Sequence, residues 1–316
     1  MFDVPILILA FNRVEHIKKL LIRLKNIQAT KLYVVVDGPR ELHPDDLVKC
    51  QQVRLEFDSI NWGCEVHKIY REQNEGPGDG IINAINWFFS REEMGIILED
   101  DCIPSKSFFP YCKELLIRCK DDARISMISG RTDVDDPGYE FSYKYTFGNT
   151  WGWATWRRSW GDLSEFPGNF YSKEKMNIFL SEMKGFEVLT DDILNGCRSA
   201  LEGSTRAWDY AWAYTRIVNK KIGIIPKVNL IENVGVGDVN ATHTSHLNSS
   251  YVSGASEIKI PLLHDLNVEL NRRQVLKESR YVVLGSAPIL FVGFHWPKIY
   301  VAYRSTRRAL KKLFDN

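Results

Sequence analysis

The first hundred residues alternate between short apolar runs and segments whose apolar positions recur at helical spacing. Residues 4–11, VPILILAF, are an unbroken apolar run, which predicts a parallel strand buried on both faces. Val14, Ile17, Leu20, Leu21 and Leu24 then mark one face of a helix. Residues 31–36 predict a second strand, closed by Asp37-Gly38-Pro39. Residues 44–57 predict a helix with Leu47, Val53 and Leu55 as partial apolar marks, and residues 65–70 a third, weaker strand. The run NEGPGDG at 74–80 reads as a flexible loop. Ile81, Ile82, Ile85, Phe88 and Phe89 predict the next helix, and Ile96, Ile97 and Leu98 another buried strand. Such alternation argues for an α/β fold with a parallel sheet and right-handed crossovers.

Beyond residue 100 the pattern loosens. Phe108, Phe109, Cys112, Leu115, Leu116 and Cys119 predict a helix, with Ser105 or Ser107 available to cap it, and residues 125–129 a short strand. Residues 139–160 are dense in aromatics and glycine. Two helices are expected over 191–201 and 204–218, and two short strands, 222–225 and 228–231, flank Pro226. Residues 234–246 form a Gly/Asn/Thr/His stretch whose polarity predicts a mobile loop.

Composition narrows the function classes. Apolar residues make up 44% and charged residues 26% of 316, ordinary for a globular protein. A net charge of +1 gives no case for nucleic-acid binding. The start, MFDVPILILAF, lacks the basic segment of a signal peptide, and no stretch reaches the about 18 apolar residues that span a bilayer. The six cysteines form no CxxC pair and no zinc spacing, so reduced thiols and a cytoplasmic setting are expected.

The candidate chemistry centres on GIILEDDCIP, residues 95–104. Glu99, Asp100 and Asp101 follow a buried strand directly, at the edge where ligands bind in open α/β sheets. Adjacent carboxylates repel, and a hard divalent cation would offset the repulsion; a solvated acidic loop is the alternative. Arg13, beside Asn12 where the first strand gives way to a helix, can hold a phosphate or simply face solvent. Asp37 can accept from a base or ribose, or serve as a turn residue before Gly38. Trp151-Gly152-Trp153-Ala154-Thr155-Trp156 can pack as core or form a wall for a sugar ring. Asp209, between Trp208 and Tyr210 at a helix start, is subject to two opposed effects. Desolvation would raise its basicity, and the helix dipole would lower it. His243 and His246 are candidate phosphate or metal contacts, with Glu232 and Asp238 in reserve as bases.

In this order, over residues 4–246, these segments resemble the GT-A-fold glycosyltransferases, specifically the N-acetylglucosaminyltransferase I-like family with its bacterial relatives. FNR resembles that family's phosphate-contacting motif and Asp37 its uracil contact. GIILEDDCIPSKSFFPYC resembles its acidic metal motif, FGNTWGWATWRRSW its Gly-Trp wall, and AWDYAW its Trp-Asp element. The resemblance implies a GT-A, Rossmann-like, mostly parallel sheet flanked by helices. Residues 1–130 would form the nucleotide-binding half, 131–246 the acceptor side, and 247–316 a C-terminal helical or extended appendage. It implies Mn²⁺ or Mg²⁺ on Asp101 and a UDP-sugar held by Arg13, Asp37, Glu99, Asp100 and His243. An acceptor and sugar wall of Trp151, Gly152, Trp153 and Trp208 and a catalytic base at Asp209 complete the set. The implied reaction is an inverting transfer of a sugar, first GlcNAc, to a glycan hydroxyl in bacterial surface polysaccharide synthesis. The family's basic, aromatic helix before the acids is here IINAINWFF, without His, which leaves the donor base and sugar open.

A nucleotidyltransferase or metal phosphohydrolase using the same acids is one rival, although no DxDxT and no Walker motif is present. A noncatalytic carbohydrate-binding protein is another. The tail carries Trp296, Tyr300 and Tyr303 beside Arg304, Arg307, Arg308, Lys311 and Lys312, a composition that suits peripheral contact with an anionic membrane and a lipid-linked acceptor.

Overall fold

A computed structural model describes residues 1–202, 208–235 and 254–283. Its centre is an eight-stranded mixed sheet in the order β3-β2-β1-β4-β8-β6-β9-β7. β1 (Ile6–Ala10), β2 (Lys31–Val36), β3 (Glu65–Tyr70) and β4 (Met94–Glu99) are mutually parallel, with Ile6 level with Leu32 on one side and Ile96 on the other. Every residue of β1 is buried, as an apolar run covered on both faces requires. β6 (Ile125–Ser129) and β9 (Ile222–Pro226) pair in parallel, while β8 (Trp153–Trp156) runs antiparallel between β4 and β6 and β7 (Tyr143–Thr146) antiparallel to β9. β5 (Cys102–Pro104) and β10 (Ile231–Asn233) form a small antiparallel ribbon just past the end of β4. The fold is α/β with a large, mostly parallel sheet flanked by helices.

The first crossovers carry α1 (Val14–Asn26), α2 (Pro44–Asp58) and α3 (Ile81–Phe89). Ile17, Leu20, Leu21 and Leu24 turn the apolar face of α1 onto the sheet, together with α4 (Phe108–Arg118). The opposite face carries α3 and a tryptophan cluster. The second half builds a helical layer. α5 (Arg157–Trp160) sends Trp160 into the tryptophan cluster, and α6 (Gly168–Tyr171), α7 (Lys173–Glu182), α8 (Glu187–Leu201) and α9 (Trp208–Val218) pack around Phe179 and Tyr214.

One expectation changes here. The 74–80 segment is not a slack loop. Gly76–Gly80 forms a π-helical turn that runs straight into α3. Described residues beyond the expected boundary at 246 contact elements of the first part of the chain. Glu257 accepts from the backbone N–H groups of Lys106 (3.0 Å) and Ser107 (2.7 Å), an anion at the start of α4, and Ser107 Oγ accepts from Ile258 N rather than capping its own helix. Further on, the Asn271 N–H donates to Tyr145 O, and α10 (Arg272–Val283) packs on α8 and β7. His243, His246, Asp238, most of the 234–246 loop and the basic tail lie outside the described residues. Among the described residues no helix is long and apolar enough to cross a membrane.

Candidate active site

The C-terminal ends of β1, β2 and β4 open into a pocket of about 540 Å³, closed on the far side by Thr150, Trp151 and the first turn of α9. This is the position expected of a ligand site in an open α/β sheet. Arg13, Asp37, Glu99, Asp100, Asp101, Trp151, Trp208 and Asp209 all line it. Two elements separated by more than a hundred residues therefore meet: the acidic end of β4 and the Trp-Asp start of α9.

The acids are clasped rather than loose. Asp100 is buried; one of its oxygens accepts from Phe11 N (3.2 Å) and the other from Arg13 Nη1 (2.7 Å). The same guanidinium nitrogen reaches Asp101 Oδ2 at 3.2 Å. Arg13 thus neutralises part of the charge that β4 delivers. What remains is still repulsive. Burial first, then the charges of Asp101, Asp100 and Asp209, push the Glu99 carboxyl well up. Burial and Asp100 raise that of Asp101, against the pull of Arg13. Val234 N donates to Asp101 O, and a Cβ on Gly235 would stand 2.5 Å from Asp101 Oδ2, so the chain leaving β10 runs directly against the acids.

The donor set suits a hard divalent cation. Among the described residues no three His, Cys, Asp or Glu are grouped as a ready-made metal cage. Mg²⁺-type sites, however, are commonly completed by substrate phosphates around one or two carboxylates. Asp101, the less committed of the two aspartates, fits the direct ligand and Asp100 its neighbour.

The structure places four more of the expected residues. Asp37 lies on the pocket wall, but its oxygens are already engaged. Oδ1 accepts from Gly38 N and Glu75 N and Oδ2 from Gly76 N, each at 3.0 Å, and Asn74 Nδ2 adds a bond of 3.1 Å to Oδ2. It anchors the π-helical turn. Trp153, expected in a sugar wall, is 1% exposed. Antiparallel pairing with β4 turns it inward onto Trp160, Trp208 and Trp212. Gly152 likewise lies behind the pocket. Its φ of +63° lets the chain turn, and a Cβ there would come within 2.4 Å of Ile231 Cδ1. That turn sends Trp151 to the pocket and Trp153 to the core. Glu232 sits on β10 opposite Ile103 and is not part of the pocket lining; Asn233 is.

Other pocket residues went unnoticed in the sequence. Arg40 and Arg71 follow β2 and β3, at the same sheet edge as Arg13. Arg40 pairs with Asp46 at 2.6 Å. Arg71 bonds Gly80 O and Glu75, stapling the turn that Asp37 holds from the other end. Outside the pocket lining, buried Arg131 lies over the Trp151 ring, 3.9 Å from its centroid, and pairs with Asp133. The position of Arg40 and Arg71 after parallel strands was the available signal.

No family model and no curated protein matches the sequence. Solved structures that match include UDP-glucose pyrophosphorylase complexed with UDP-glucose, 8% identical over 73% of this chain and 94% of that one, with a TM-score of 0.39. The inositol-1-phosphate CTP transferase from T. maritima is 11% identical over 72% and 86%, with a TM-score of 0.35. HddC from Yersinia pseudotuberculosis is 12% identical over 53% and 80%, with a TM-score of 0.32. Superposition this loose carries no argument about activity, so function rests on the pocket itself.

Proposed function

We propose that the chain is a metal-dependent glycosyltransferase. It would move a sugar, first GlcNAc, from a UDP-sugar to a hydroxyl of a glycan acceptor with inversion, in the building of a bacterial surface polysaccharide. The observation that carries this reading is the convergence of Asp209 from α9 with Arg13 and the acids of β4 in one pocket walled by Trp151 and Trp208.

The roles follow from charge and position. The donor's diphosphate belongs at the acidic end, where Arg13 can donate to a phosphate oxygen while still flanking Asp100 and Asp101. A divalent cation bound there would supply neutralisation of the leaving diphosphate. Asp209, on the α9 side, accepts the proton of the acceptor hydroxyl as its oxygen attacks the anomeric carbon. The bond from that carbon to the diphosphate oxygen breaks, and the electron pair leaves with the nucleotide. Attack opposite the leaving group inverts the anomeric centre without a covalent intermediate on the protein. Trp151 gives the sugar an apolar face to stack on, and Trp208, packed against Trp153, backs the wall and reduces the water that could intercept the sugar.

The test is a thermal-shift screen of nucleotides and nucleotide sugars with Mn²⁺ or with a chelator, followed by product analysis with glycan acceptors. A ligand at a hundred times its Kd stabilises by about 2.7 kcal/mol, a readable shift. Metal-dependent stabilisation by UDP and UDP-sugars, with glycoside formation, is expected. Turnover of UTP and a sugar 1-phosphate with release of pyrophosphate would replace this reading with nucleotidyl transfer. Glycan binding indifferent to metal and nucleotide would replace it with a binding protein.

A further inference from the structure

A second cavity of about 660 Å³ adjoins the first. The two share walls. Trp208 lines both; Gly76, Pro77 and Gly80 of the π-helical turn face the first, while Gly78 and Asp79 face the second. Its floor is apolar: Trp160, Leu163, Trp208 and Ala211 are all buried, with Ile82 and Phe166 on the sides. Asn86, one of its few polar side chains, already accepts from Trp160 Nε1 at 2.7 Å. Among the described residues no Lys, Arg or His lines it, and Asp79 is its one carboxylate.

Among the described residues that lining offers nothing to balance the charge of the donor's phosphates. A diphosphate needs cations or a metal site, and both lie in the first cavity. The two cavities share Trp208, and Asp209, the next residue, lines the first. We infer that the second cavity holds the acceptor, through a neutral apolar group, alkyl or aryl, carried on the acceptor sugar. The inference builds on the glycosyltransferase reading for the word acceptor; the apolar site stands on its lining alone. It also argues that the charged link of a diphosphate-linked lipid does not lie in this cavity.

The experiment is a binding series with methyl, butyl and hexyl β-D-glucopyranoside, followed by calorimetry, without nucleotide or metal. Each methylene that enters the cavity should tighten binding by roughly threefold to fourfold. Ser164→Trp and Ala200→Trp, both at the cavity lining, should each flatten the dependence on chain length while circular dichroism stays native. Equal affinity for methyl and hexyl glucoside in the wild-type protein overturns the inference, even if neither variant folds. A chain-length dependence that persists in both folded variants overturns it as well. Because the readout needs no donor, loss of the glycosyltransferase reading leaves it measurable. Glycosyl transfer without any chain-length dependence would remove this site alone.

Discussion

Replacing Gly152 by Ala tests how the pocket wall is built. Two costs add. A left-handed φ of +63° imposes about 1–2 kcal/mol on a residue with a Cβ. The new Cβ would also lie 2.4 Å from Ile231 Cδ1 and 2.8 Å from Ile231 Cγ1, and forced overpacking of this kind costs about 1–3 kcal/mol. Ile231 is fully buried and held in the β5–β10 ribbon, so it cannot simply swing away. Gly152→Ala should therefore destabilise by about 2–5 kcal/mol in urea unfolding with the m-value unchanged. Ile231→Val removes Cδ1, the nearest atom, and alone should cost about 0.5–1.5 kcal/mol. In the double variant the 2.4 Å contact is removed, while the 2.8 Å approach to Cγ1 and the conformational part stay. The double variant should then be more stable than the sum of the singles by at least about 1 kcal/mol, within the range measured for contacting residues. Additive singles, or a Gly152→Ala cost below about 0.5 kcal/mol, would refute the account of why glycine separates Trp151 from Trp153.

Asp209→Asn should lower the transfer rate by about 10²–10⁴, the range for loss of a general base, with nucleotide affinity unchanged by calorimetry; an active Asn variant would require another base. Asp37→Ala leaves Glu75 N and Gly76 N without their acceptor and should cost about 2–4 kcal/mol, since bonds to a charged group contribute about 1.5–3 kcal/mol each and water recovers part. Amide exchange at 75 and 76 should speed up in that variant, and unchanged protection would return Asp37 to the role of a free ligand contact. Burial and then the charge of Asp133 push the Glu278 carboxyl up to about 7, opposed by hydrogen bonds from Thr132 and Gln274. Because the folded state binds this proton more tightly than the unfolded one, its contribution is full below about pH 4.5 and is lost as pH rises through about 7, by at most about 3 kcal/mol. Glu278→Gln should remove that slope from chemical-denaturation stabilities measured between pH 4 and 8, and an identical slope in the variant would place it elsewhere.

What the sequence determined was whatever a single element encodes within itself. The runs at 31–36, 65–70 and 125–129 became β2, β3 and β6 with those same limits; in β2 and β6 burial on both faces marks nearly every residue, while β3, an edge strand with no buried residue, carried the weaker pattern. The acids at the end of β4 and the Trp-Asp start of α9 were legible for a similar reason: such residues are costly to place at random in an apolar frame. Tertiary structure alone decided which face each residue shows and which partner it meets. Nothing local distinguishes Trp151 from Trp153; one lines the pocket and the other is core because β8 pairs with β4 and β6 and Gly152 turns the chain between them. Asp37 reads as either a turn residue or a ligand contact, and its bonds to Glu75 N and Gly76 N, nearly forty residues later, carry no local mark. Arg13 gains its acidic partners 87 and 88 residues away, and the 254–283 segment looks detached until Glu257 meets the start of α4 some 150 residues back. Periodicity records the solvent exposure of one element, whereas these contacts depend on the relative placement of several, and no local pattern carries that information.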